Sequence, residues 1–146
     1  MGLALDAARR AGETGEVPVG AVVAVGSDVL AVAANRREEL GDPTAHAEIL
    51  ALREAARAQN GWRLSDATLY VTLEPCPMCA GALVAARLGR LVFGAPDPKA
   101  GSCGSLYNLC ADPRLNHELR VTPGVRAAEC SEMLSKWFAG RRPGDS

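Results

Sequence analysis

The spacing of apolar positions changes several times along the chain, and each change marks an element. Between residues 3 and 12, Leu3, Leu5, Ala7, Ala8 and Ala11 fall where a helix needs them, and Gly12 and Gly15 end it. Two nearly continuous apolar runs, Pro18 to Val25 and Val29 to Ala33, flank Gly26-Ser27-Asp28, which predicts a hairpin. A turn-rich loop through Gly41-Asp42-Pro43 follows. Thr44 is placed to cap a helix over about 45–59, with Ile49, Leu50, Leu52 and Ala56 at helical spacing and Gly61 as its stop. Ala67 to Leu73 is a compact β-branched run, Pro75 opens an Ala/Leu-rich segment reaching Leu88, and Leu91-Val92-Phe93-Gly94 follows: a strand, helix, strand unit. Ala95 to Ser105 reads as a long loop. A short helix near Leu106 to Cys110, a strand near Leu119 to Thr122 and a final helix over about Ala127 to Gly140 complete the pattern. Without repeats, low-complexity tracts or linkers, residues 1–146 read as a single domain. Strands separated by helices and opened by one hairpin predict an α/β fold whose mixed or mostly parallel sheet is covered on both faces.

Composition narrows the class. A chain of 146 residues can hide roughly 68–70% of its unfolded surface, enough for one core without disulfides. Its 16 basic and 17 acidic residues give a net charge of -1, so any contact with nucleic acid rests on a local basic patch. The most apolar stretch, Val17 to Ala34, is broken by Gly26-Ser27-Asp28 and predicts no membrane span. No secretory signal is evident, and Asp6 stands where N-myristoylation needs Ser or Thr. Five cysteines, two of them three positions apart, point to a reducing compartment and read the close pair as metal-binding or redox-active.

Two segments carry the candidate chemistry: Thr44-Ala45-His46-Ala47-Glu48 and Glu74-Pro75-Cys76-Pro77-Met78-Cys79, each at a predicted helix N-terminus. Cys76 and Cys79 at i, i+3 share a helical face, and the positive helix end favours their thiolates. With His46 they offer one imidazole and two thiolates, the three-ligand set of a catalytic zinc site that keeps a fourth position for water. A closed structural site would need His117 or another cysteine as the fourth ligand. Glu48 is two residues from His46 and points elsewhere on the first turn, placed to carry protons from a zinc-activated water. His117, Cys103, Cys110 and Cys130 read as a hydrogen-bonded or surface histidine and reduced, mostly buried thiols.

These motifs resemble the zinc-dependent cytidine deaminase superfamily, and more narrowly the bacterial tRNA-specific adenosine deaminases. The likeness runs through Glu16 to Val22, Asp42 to Ile49, Tyr70 to Cys76, Phe93-Gly94-Ala95, Gly104-Ser105-Leu106 and Asn116-His117, nearly the whole chain. It implies a three-layer α/β/α fold around a mixed five-stranded sheet, one Zn2+ per subunit on His46, Cys76 and Cys79, and Glu48 as the proton carrier in converting adenosine to inosine at a tRNA wobble position. It further implies that Asn35 and the backbone at Ala47 meet the flipped base. Asp97 and Lys99 are implied to meet neighbouring nucleotides, and Phe138 and Arg142 to clasp the anticodon stem-loop. A cytoplasmic homodimer is the implied assembly and setting. The chain departs from the pattern at Pro96 and Trp137. Two other readings stay open: a deaminase of a free base or nucleotide (guanine, cytosine or deoxycytidylate) on the same scaffold, and a non-catalytic zinc module.

Overall fold

The computed structural model describes residues 1–141. Helix α1 (Gly2–Glu13) leads into the hairpin β1 (Gly20–Val25) and β2 (Asp28–Ala34), then a short α2 (Arg37–Leu40), α3 (Ala47–Gln59) and β3 (Thr68–Leu73). After these come α4 (Pro77–Ala85), β4 (Arg90–Ala95), a 3-10 turn at Leu109–Ala111, β5 (Arg120–Thr122) and α5 (Ala127–Ala139). The five strands form one mixed sheet in the order β2-β1-β3-β4-β5. Strand β1 runs antiparallel to both β2 and β3, whereas β3, β4 and β5 run parallel.

The sheet is sandwiched between two helical layers. Helices α1 and α5 touch each other and the strands from one side; from the other, α3 lies on β1, β2 and β3, and α4 packs beside it. Hence Gly20 to Ala24 of β1 are buried at every position instead of alternating. Odd positions Ala21 and Val23 join the main core with Leu69, Val71, Leu83 and Leu91. On the opposite face α1 lies directly on β1 at Gly20, where a Cβ would stand 2.0 Å from the Ala4 carbonyl oxygen and 2.8 Å from the Ala8 nitrogen. Only a residue without a side chain allows that approach.

Three local expectations are corrected. Helix α3 starts at Ala47, not at 45, and Thr44 does not cap it: its hydroxyl donates to Asp42 inside the Asp42-Pro43 turn, and His46 is the N-cap residue. The segment 106–110 forms a 3-10 turn at Leu109–Ala111 instead of a helix over Leu106 to Cys110, because the chain bridges back on itself at Cys103 and Asn108. Residues 37–40, read as loop, form α2, whose Glu38 and Glu39 amides are held by the Glu16 carboxylate at 3.1 and 2.9 Å.

Candidate active site

Strand polarity gathers the site at one edge of the sheet. The start of β1 and the ends of β2, β3 and β4 all face the same way. A cavity of about 170 Å3 opens there, its lining made of apolar Val17, Val19 and Leu73, of His46, Glu48 and Cys76, and of Arg37, Asp97 and Ala100 among others.

Two helix N-termini converge on this cavity. His46 is the N-cap residue of α3 and Cys76 the N-cap residue of α4, both extended, with Pro77 at the first helical position. Cys79 follows on the first turn of α4 and is fully buried. Its Sγ lies 3.4 Å from His46 Nδ1, and the Cys76 Sγ lies 3.7 Å from the same nitrogen. Among the described residues, these three form the cluster with a metal-ligating atom from each within 4.8 Å of the others. Zn–S bonds of about 2.3 Å and Zn–N bonds of about 2.0 Å make tetrahedron edges of about 3.5–3.8 Å, so the donor set fits one zinc ion with one corner left open. His117 lies elsewhere, its Nε2 meeting the Leu88 carbonyl at 2.7 Å.

The electrostatics follow from the packing. The Cys76 thiol is held down to about 4 by hydrogen bonding from the Cys79 thiol, then by His46 and the Cys79 backbone N–H, against the opposing effect of burial. The Cys79 thiol is raised because it serves Cys76 and is buried. Hydrogen bonding to Cys76 raises His46. Burial pushes the Glu48 carboxyl up to about 7, against its own backbone N–H and His46. Glu48 is only 4% exposed, so its carboxyl faces the cavity and the Cys79 thiol, not bulk water.

The remaining expected residues are distributed unevenly. Asn35 lines the cavity, but its side chain is engaged: Oδ1 accepts from the Ala47 amide at 2.8 Å and Nδ2 donates to the Val17 carbonyl at 3.1 Å. One Nδ2 hydrogen and one Oδ1 lone pair are left for a ligand. The Ala47 amide is correspondingly committed to Asn35. Asp97 lines the cavity while its Oδ1 takes the amides of Lys99 and Ala100 at 3.0 and 3.2 Å, and the Lys99 side chain is exposed on the adjoining loop. Phe138 is 54% exposed at the end of α5, edge-on to Trp137. Trp137 docks α5 onto α1 through Nε1 to the Gly12 carbonyl, with the Arg141 guanidinium 4.2 Å over its ring. Arg142 lies outside the described residues.

One residue of the segment Glu74 to Cys79 organises the surroundings of the cavity without being a candidate ligand. Glu74, buried at 2% exposure, accepts the amides of Asp97, Cys103 and Ser105 and the Ser105 hydroxyl. Burial alone would raise its carboxyl; the Ser105 hydroxyl and the three amides instead hold it below the usual range. The signal was an acidic residue closing the apolar run Ala67 to Leu73, since a buried charge must be paired.

Comparisons with known proteins agree with this geometry. Residues 1–138 match the MafB19-like deaminase family. The chain is 51% identical over 135 residues to the tRNA-specific adenosine deaminase of Bacillus subtilis strain 168, covering 92% of this chain and 84% of that protein. A solved tRNA:A34 deaminase, studied for A-to-I editing at the wobble position of transfer RNA, superposes with a TM-score of 0.88 at 48% identity, covering 92% of this chain and 97% of that one. A guanine deaminase from Nitrosomonas europaea shares the fold at a TM-score of 0.82 but only 24% identity, over 94% of this chain and 82% of that one.

Proposed function

The chain belongs to the MafB19-like deaminases and to the tRNA-specific adenosine deaminases, and from that premise we propose that it hydrolyses adenosine to inosine and ammonia at the wobble position of a tRNA anticodon. The observation that carries the reading is the meeting of His46, Cys76 and Cys79 with the buried carboxyl of Glu48 at one small cavity. His46, Cys76 and Cys79 would hold one zinc ion, which when bound would supply an activated water as nucleophile. The Glu48 carboxylate is placed to take a proton from the attacking water and to return it to the departing amine at C6. Val17, Val19 and Leu73 supply apolar walls for a flat base. At about 170 Å3 the cavity takes a base and leaves its ribose and neighbours outside, which suits a nucleotide flipped out of a loop. The free Nδ2 hydrogen of Asn35 faces the base edge. Asp97 and Lys99 meet the flanking nucleotides, where a carboxylate can read a ribose 2′-OH. Phe138, by stacking, and the arginines that follow it in the sequence, Arg142 among them, meet the stem-loop itself.

We read residues 1–146 as one deaminase domain acting in the cytoplasm as a homodimer. No helix among the described residues is long and apolar enough to cross a membrane. A groove of about 350 Å3 along α3 and α4, lined by Ile49, Leu52, Ala56, Trp62, Ala82 and Ala86, offers an apolar face for a second copy. Light scattering on the purified protein tests the dimer. The function is tested by incubating zinc-loaded protein with an anticodon stem-loop bearing a wobble adenosine, beside free adenosine, guanine and cytidine. Inosine is expected in the RNA alone. Consumption of a free base without inosine in the RNA favours the small-substrate alternative, and no turnover at all favours a non-catalytic zinc module.

A further inference from the structure

Beside the cavity the chain runs from β4 into a loop, residues 96–105, that is rich in Pro, Gly and Ser yet almost fully tied down. The ties converge on one side chain. Glu74 Oε1 accepts the Asp97 amide at 3.0 Å and the Ser105 hydroxyl at 2.5 Å, and Oε2 accepts the amides of Cys103 and Ser105 at 3.1 and 3.0 Å. The neighbouring Pro75 carbonyl accepts the Ser102 amide at 2.8 Å. Gly101 is folded over the carboxylate so closely that a Cβ there would lie 2.4 Å from Glu74 Cδ and 2.5 Å from Oε1. Glu74 is itself two residues before Cys76 on the segment leaving β3.

We propose that Glu74 is a positioning residue, whose buried carboxylate hangs loop 96–105 on the segment that carries Cys76 and so presents Asp97 and Lys99 beside the cavity. The proposal rests on the reading above that this loop meets the nucleotides flanking the target adenosine. Two consequences distinguish it from a buried carboxylate that merely stabilises the fold. First, Glu74→Gln acts selectively. Its amide NH2 settles at the Oε1 side, because there the Ser105 hydroxyl can turn from donor to acceptor, whereas the Oε2 side faces two backbone amides that can only donate. Only the Asp97 amide then loses its acceptor. Second, pressure from the loop side does the same: Gly101→Ala drives a methyl into the carboxylate and lifts the same segment.

The test compares wild type, Glu74→Gln, Gly101→Ala and the double variant by inosine formation in the stem-loop, by direct binding of that RNA and by zinc content. Each single variant is expected to keep its zinc and to raise KM and the RNA Kd about tenfold, with kcat falling far less. The double variant should be little worse than either single one, since both release one tether. Unchanged KM and Kd in folded, zinc-loaded variants would overturn the proposal and leave Glu74 a stabilising residue. Loss of zinc in step with kcat would also overturn it, assigning Glu74 to Cys76 and not to the loop. If wild type itself makes no inosine, the functional reading fails separately. The tether is then read from amide exchange: faster exchange at Asp97 than at Cys103 in Glu74→Gln supports it, and equal rates refute it.

Discussion

Replacing Asn35 by alanine removes two hydrogen bonds that join three separate segments, and the cost follows from where each partner is left. The Ala47 amide, on a residue with 0% exposure, loses its acceptor in a dry environment, which costs about 1–3 kcal/mol. The Val17 carbonyl belongs to a half-buried residue and can regain water, so its loss costs about 0.5–1 kcal/mol. Asn35→Ala should therefore destabilise the protein by about 1.5–4 kcal/mol. With a urea m-value of about 1–3 kcal/mol/M, the unfolding midpoint falls by about 0.5 M or more. The assay is urea unfolding followed by far-ultraviolet circular dichroism, with a chelator in every sample so that metal affinity does not enter. Thr44→Ala is the control. Its hydroxyl serves only the exposed Asp42 turn, so its cost should stay within about 0.5 kcal/mol. If Thr44→Ala costs as much as Asn35→Ala, Thr44 caps α3 in solution. A midpoint shift below about 0.3 M for Asn35→Ala would refute the remote cap outright.

Glu48→Ala should keep its zinc and lose inosine formation by about 10²–10⁴-fold, measured on the stem-loop with metal analysis alongside; loss of the zinc instead would make Glu48 a ligand. Asp97→Asn preserves the Oδ1 that holds the Lys99 and Ala100 amides, so the loop survives while the charge goes; a lower RNA-to-DNA activity ratio is expected, and an unchanged ratio removes the 2′-OH contact. Cys76, the half-exposed thiol of the cluster, should react with an alkylating reagent only after zinc is stripped by a chelator, as read by peptide mass analysis, while Cys110 and Cys130 stay unlabelled in the folded protein. Gly20→Ala forces a methyl into the α1 backbone and should cost at least the about 1–3 kcal/mol usual for overpacking, seen in the same urea assay; a neutral substitution would mean that α1 does not lie on β1 as described.

Legibility divided along the range of the interactions. The hairpin around Gly26-Ser27-Asp28, the periodic face of α3 and the strand at Thr68–Leu73 depend on neighbours a few residues away, and the pattern of apolar positions carried them. His46 with Glu48, and Cys76 with Cys79, were legible as local motifs because each pair lies within one helical turn. What escaped was set by partners far along the chain. The cap of α3 comes from Asn35, 12 residues before Ala47, while the local candidate Thr44 is drawn off by the nearer Asp42. Helix α2 exists because Glu16 reaches across 22 and 23 residues to its amides. Loop 96–105 read as loose from its Pro, Gly and Ser, yet Glu74 ties it across 23 to 31 residues. In each case a carboxylate or carboxamide at the border of an apolar run was the trace left in the sequence.

Those same long-range ties explain how a chain with a net charge of -1 can serve a polyanionic substrate. Because β1 is antiparallel to β2 and β3, and β4 is parallel to β3, segments from four strands arrive at one sheet edge, and two helices point their positive N-terminal ends into it. That field is local. It favours the thiolates of the cluster without requiring a basic surface, and a cavity of about 170 Å3 has room for a single base. On the proposed reading a stem-loop needs only a few phosphate contacts, with Lys99, exposed on the loop beside the cavity, among the cations that would supply them. Order in loop 96–105 then matters more than total charge, because a lysine contributes to affinity only where the backbone beneath it is held in place.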